Sequence, residues 1–332
     1  MSISDYFSRL SGALGQGWNR FWFQRTDPAP LAVLRIVLGL ISLIYALSFT
    51  SSLTTWFASD GILPVMRTFR MTGASEPDVR VLYWSLFYYV DDATGLWVLH
   101  LLSLVAILGF TIGLATRWTG IATVVFVISY AQRAPMLMSL LEPLLCPMLL
   151  YVVLAPCGAY YSVDAYLKSR GNRANDPIQF SAMAHLALRL AQVHLSMFYL
   201  MLGLTKLSSF TWWNGEAIWF LIAQTENRLV DWTFLRNTPL VVFGWTHFVV
   251  LFELLFGIFC WVKLARPLLV LVSIPHWVLL GLLTGQWQFA LLMIVVNVVL
   301  KPWEPLEKER PAESLELQQP AEFPESARGV PV

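Results

Sequence analysis

Seven residues between positions 185 and 206 fall on a single line: His185, Arg189, Gln192, Ser196, Tyr199, Gly203 and Lys206. Their separations alternate between four and three, the spacing that stacks side chains on one face of an α-helix. The line offers an imidazole, a guanidinium, an amide, a hydroxyl, a phenol and an amine, groups that can hold a proton or bind an anion. The other faces carry Leu186, Leu188, Leu190, Leu195, Phe198, Leu200 and Met201. The stripe is roughly 31 Å long at the helical rise, about the thickness of a bilayer core. Such a helix turns one side to lipid and hides the other in a packed interior or a wet cavity.

Each of these residues also has a structural reading. Lys206 can snorkel from a membrane end, with Trp212 and Trp213 anchoring at the headgroups. Arg189 can pair with a carboxylate such as Glu142 or Glu253 and tie helices together. Arg133 and Glu142, among the prolines of "AQRAPMLMSLLEPLLCP", form a candidate ion pair at a helix break, either a clamp or part of a ligand pocket. Arg35, one turn inside the first apolar segment, is expected to snorkel. All five histidines lie in apolar segments, with no HxxxH spacing. They read as neutral imidazoles hydrogen-bonded between helices, and no metal site is expected.

The elements that must position these residues follow from composition. Of 332 residues, 57% are hydrophobic and only 13% charged, and fifteen are tryptophan. Apolar runs of about 20 residues recur, the length that crosses a bilayer as helix. The expected fold is therefore all-α, a polytopic transmembrane bundle of about eight spans. They are placed near 30–50, 93–115, 119–138, 140–158, 181–206, 239–261, 265–283 and 286–300. Pro135, Pro143, Pro147 and Pro156 allow kinked or re-entrant segments in the third and fourth.

Residues 1–28 are expected to form an interfacial amphipathic segment, with Phe7, Leu10, Leu14, Trp18 and Phe21 at helical spacing. Residues 29–300 form the membrane domain, and 301–332, rich in proline and glutamate, a disordered tail. No secretory signal is evident at the start. Basic residues favour the loops on the side of the N-terminus, so both termini are placed in the cytoplasm, with 51–92 and 207–237 facing outward. The three cysteines, odd in number and widely spaced, read as buried small residues. In "YYSVDAYLKSRG", Ser162 can cap a short helix that Gly171 ends; in "TWWNGEAIWFLI", Asn214 and Gly215 make a turn. A net charge of +1 and the absence of a basic patch argue against a nucleic-acid partner.

Three stretches together resemble the HTTM family, the membrane domain shared with vitamin K-dependent gamma-glutamyl carboxylases. They are "FWFQRTDPAPLAVLRIVLGL", "YYSVDAYL" and "GLTKLSSFTWWNGEA", and the resemblance runs over most of residues 20–300. It implies that Lys206 matches the lysine held to deprotonate the vitamin K hydroquinone. A lysine stripped of water can take that role, with the quinol entering from the bilayer and carrying the hard step. Where the carboxylases carry an assisting histidine, this chain has Leu141 and Glu142.

The expected function is an integral membrane protein, in a bacterial inner membrane, that binds or oxidises a lipid-soluble quinol. Lys206 is the catalytic candidate, and His185, Arg189, Gln192, Ser196, Tyr199, Arg133 and Glu142 are the pocket candidates. As an enzyme it would be carboxylase-like or quinol-epoxidising, with membrane lipids and a reduced quinone as partners. The alternatives are a transporter or channel with its pathway along the stripe, and a non-catalytic membrane scaffold.

Overall fold

The computed structural model describes residues 3–72, 84–90, 92–170, 180–224 and 229–300. The expected tail at 301–332 and the helix stop at Gly171 lie outside the described residues. Among the described residues the chain is helical and has no strand beyond a single bridge between Thr26 and Ser181.

Among the described residues, nine longer helices carry the architecture. They are α1 (Ile3–Phe23), α2 (Ala29–Ser48), α3 (Ala93–Ile112), α4 (Thr116–Arg133) and α5 (Leu141–Leu154), then α6 (Ala182–Leu207), α7 (Pro239–Phe259), α8 (Arg266–Thr284) and α9 (Trp287–Val299). Five segments are long and apolar enough to cross a membrane: Ala29–Phe57, then α3, α6, α7 and α8. The protein is an integral membrane helical bundle. Two of the other expected spans, α5 and α9, are apolar but shorter, at 14 and 13 residues. The remaining one, α4, carries Thr116, Arg117, Thr119, Thr123, Ser129, Gln132 and Arg133, and is not apolar enough to count. It stops at Arg133 because Pro135 has no N–H to continue the ladder. Pro147 and Pro275, by contrast, lie inside α5 and α8 without ending them, as membrane helices allow.

Two helices form the centre. α2 packs on α3, α4, α5 and α9, while α5 also touches α4, α6 and α9. α6 lies against α7 over the longest interface, and α8 and α9 fold back on each other. Small residues set the α6–α7 distance. Gly203 faces Leu254 and Gly257 faces Leu200, so a Cβ at either glycine would collide with the opposing leucine.

The sequence between α6 and α7, expected as a loop, carries helices of its own. Phe210–Trp213 and Ala217–Ala223 are short helices joined by the expected turn at Asn214 and Gly215. Ile218 and Ile222 of this hairpin form a second apolar cluster with Val242, Val249 and Leu283. Thr246 in α7 meets it, accepting from the Ile218 N–H at 3.3 Å, while its one hydroxyl hydrogen lies between the Gly215 carbonyl at 3.0 Å and the Val242 carbonyl of its own helix at 2.8 Å. The hairpin therefore lies along the first half of α7 and shields the end of α6.

Arg35 does not snorkel. It is fully buried and donates to the carbonyls of Cys157 at 2.8 Å, Tyr160 at 3.3 Å and Tyr161 at 2.5 Å. Ser162 caps the helix Val163–Arg170 through the Ala165 N–H at 2.9 Å, as its sequence implies. Asp164 reaches further, accepting from the N–H groups of Ala115 and Thr116 and from the Thr116 hydroxyl at 2.7–2.9 Å. Burial works against ionising Asp164, but these hydrogen bonds outweigh it and hold the carboxyl below its ordinary value. Gly113, at φ +76°, closes the junction where Arg35 and Ser162 leave no space for a side chain. The first two stretches of the resemblance thus meet in one clamp.

Candidate functional site

The stripe on α6 faces the bundle interior, and its members bond mainly to neighbouring helices or to each other. His185 Nε2 lies 2.9 Å from the Phe21 carbonyl, which fastens α1 to α6. Arg189 Nε sits 3.3 Å from the same nitrogen, which cannot donate to the carbonyl and accept from arginine together; the shorter contact is the bond. Arg189 donates to Gln192 at 3.0 Å and lies over the Phe21 ring; it pairs with neither Glu142 nor Glu253. Gln192 donates to the Leu300 carbonyl at 3.0 Å. Ser196 donates to the Gly257 carbonyl at 2.6 Å and accepts from Trp261. Tyr199 is fully buried against Phe256, and its hydroxyl accepts from Trp277 at 2.6 Å and Asn297 at 2.7 Å.

Arg133 and Glu142 do not pair. Arg133 donates to the Thr68 hydroxyl at 3.0 Å and the Phe57 carbonyl at 2.9 Å, with its guanidinium over the Phe57 ring. Glu142 accepts from the Ser139 N–H at 2.8 Å and the Ser139 hydroxyl. Glu142 is satisfied locally by Ser139, whereas Arg133 is satisfied by oxygens that chain folding brings from 65 and 76 residues away, so neither needs the other.

Lys206 differs from the rest of the stripe. Its Nζ lies 2.7 Å from both carboxylate oxygens of Glu253, the one ion pair among the described residues. The Glu253 side chain is 1% exposed and that of Lys206 17%. The amine also sits 5.2 Å from the centre of the Trp212 ring, so this tryptophan covers the lysine. Glu253 is fourteen residues from Pro239 and six from Phe259, which puts roughly 21 Å and 9 Å of helix between the pair and the two ends of α7. The pair therefore lies within the length of α7, buried, with the hairpin covering it on the Pro239 side.

Two cavities meet at this lysine. A chamber of about 210 Å³ is lined by Lys206, Glu253, Trp212, Trp277, Leu280 and Phe289, with Thr284 and Gln286 adding polar groups. A groove of about 540 Å³ on the other side is lined by Lys206, Trp212, Trp213, His247, Phe248 and Leu251. Lys206 and Trp212 form the wall common to both. Compared with family models, curated proteins and solved structures, the chain matches none.

The histidines divide. His100 bonds Thr50 at 3.0 Å and Tyr130 at 2.7 Å, the interhelical role expected. His247 bonds only its own helix, at the Phe243 carbonyl. His276 is 3% exposed, and neither ring nitrogen has a partner; its ring packs 4.5 Å from that of Phe252 and 4.9 Å from that of Trp277. Cys157 is buried, Cys146 and Cys260 half-buried, and all three are free thiols.

Sequence reasoning expected a sheltered space behind the stripe but named Glu253 only as a partner for Arg189, and it missed Trp277 and Asn297. The available signal was electrical. Glu142 and Glu253 are the two carboxylates in apolar segments, so a buried lysine had few partners to choose from.

Proposed function

We propose that the protein is a membrane protein of the HTTM type that binds a lipid-soluble quinol, with Lys206 and Glu253 as its proton-handling centre. The observation that carries this reading is the buried Lys206–Glu253 pair on the wall of an apolar chamber. Desolvating two charges is costly, and a structural tie could be made with apolar residues at less expense. An ion pair retained beside an open cavity is more useful as a site than as a brace.

The residues fit the ligand's chemistry. A chamber of about 210 Å³ holds a ring but not a long chain, while the groove of about 540 Å³ offers apolar room for a tail. Lys206 and Glu253 would face the quinol hydroxyl, and Trp212 its ring. When bound, the quinol supplies a dissociable proton and reducing electrons. As an ammonium and a carboxylate, the pair accepts a proton at Glu253. For Lys206 to act as base its proton must first pass to Glu253, which the 2.7 Å contacts permit with no change in net charge. This revises the free-amine expectation, since the base is shared between two residues.

The bilayer assignment extends the same reading. On this reading the five long apolar helices, the shorter α5 and α9, and α4 would each cross once, with both termini in the cytoplasm of a bacterial inner membrane. A transport path has less support, because from His185 to Tyr199 the stripe's polar groups are engaged within the fold and leave no continuous polar lining.

The test is binding of menaquinol and phylloquinol to the protein in nanodiscs, for wild type, Lys206→Ala and Lys206→Arg. Binding that is lost in Lys206→Ala and weakened in Lys206→Arg supports the reading. Unchanged binding in both variants removes the lysine from it.

A further inference from the structure

A third cavity, of about 630 Å³, shares no lining residue with the chamber or with the groove beside Lys206. Its walls come from the Asn214–Gly215 turn, the helix Ala217–Ala223, the turn around Leu235 and the first residues of α7. Two charges of opposite sign line it, Glu216 and Arg236. They form no ion pair with each other, and neither makes a side-chain hydrogen bond among the described residues. Asn214 adds an amide beside them, and Trp219 an aromatic face. Past these groups the surface turns apolar: Phe220 is 51% exposed, Phe243 50% and Leu240 83%.

We propose that this cavity is a binding site for a membrane phospholipid whose headgroup carries both an ammonium and a phosphate. Charge complementarity selects that occupant. Arg236 supplies the planar fork that grips a phosphate, and Glu216 supplies the counter-charge for an ammonium that Trp219 can face. A purely anionic lipid would meet Glu216 as a like charge. The exposed Phe220, Phe243 and Leu240 line the same cavity and offer apolar surface for an acyl chain, and α7, a helix of membrane length, begins here, where headgroups would lie. The unpaired state of the two charges is what leaves both open to a ligand. This site is separate from Lys206 and does not depend on the quinol reading.

The experiment is native mass spectrometry of the full-length protein taken from nanodiscs that contain equal amounts of phosphatidylethanolamine and phosphatidylglycerol with the same acyl chains. Wild type is expected to retain phosphatidylethanolamine over phosphatidylglycerol by about two- to five-fold, the range a partly exposed ion pair gives. Glu216→Gln should erase that preference while lipid remains bound. Arg236→Gln should lower retention of both lipids by a similar factor. Both side chains are exposed, so the melting temperature of each variant should match wild type. Soluble phosphoethanolamine added in excess should not displace the lipid; displacement would show that the headgroup alone is the ligand and overturn the phospholipid assignment. Equal retention of the two lipids by wild type, or identical spectra for wild type and both variants, would overturn the site.

Discussion

Removing one member of the Lys206–Glu253 pair should not cost the same from either side. Lys206→Met leaves the Glu253 carboxylate at 1% exposure with no counter-charge. Stranding a buried charge in this way costs about 3–5 kcal/mol. Glu253→Gln leaves an ammonium that is 17% exposed and still lies over the Trp212 ring, a contact that retains about 0.5–2 kcal/mol. Its expected cost is correspondingly lower, about 1–3 kcal/mol. The double variant strands no charge, so it should fall well short of the sum, with a coupling of about 2–3 kcal/mol. The three free thiols give the assay: a dye that fluoresces on reacting with cysteine reports unfolding as Cys157 becomes accessible. The expected order of melting temperature is wild type, then Glu253→Gln, then Lys206→Met, with the double variant above Lys206→Met. Equal losses for the two single variants, or additive losses in the double, would refute the argument that the carboxylate is the deeper and more dependent partner.

Three further outcomes follow from the geometry. Arg35→Met should cost about 3 kcal/mol or more, because it orphans the carbonyls of Cys157, Tyr160 and Tyr161 in the same dye assay. His276→Phe should leave stability unchanged or raise it by about 1 kcal/mol, since no hydrogen bond is lost and an aromatic cluster receives another ring; a large loss would reveal a partner for the imidazole. Asp164 gives a pH dependence with a definite sign. Its carboxyl is held below the ordinary value, so its stabilisation is complete above the unfolded value near 3.8 and is lost as pH falls through the lower folded one. Melting temperature measured from pH 6 to pH 3 should fall more steeply for wild type than for Asp164→Asn, and parallel curves would contradict it.

The helical bundle was legible because apolar runs of bilayer length have no other stable home, and the α6 stripe was legible because its period is that of a helix. The boundary of α4 was less so, since threonines and serines that donate to their own helix read as polar yet sit comfortably inside it. Arg35 and Arg133 show why local reading assigns the wrong partners. Each satisfies its guanidinium with backbone or hydroxyl oxygens brought near by chain folding, at separations of 65 to 126 residues. Lys206 was singled out for the right property, a cation where hydrocarbon was expected. The shelter and the carboxylate that explain it come from α7 and the hairpin, and no spacing within α6 could have shown either.

The Arg35 clamp carries a consequence for synthesis. Its acceptors lie 122 to 126 residues further along the chain, so a ribosome must add all of them before the guanidinium is satisfied. Until then the nascent first span holds a bare positive charge in its second turn, at a cost below the roughly 2.5–3.5 kcal/mol of a helix centre. The Leu, Ile and Val residues around it must outweigh that cost on their own, or the translocation machinery must shelter the segment until the loop from Cys157 to Tyr161 arrives. Insertion of this protein is thus a delayed handover, in which an early helix waits for a late loop.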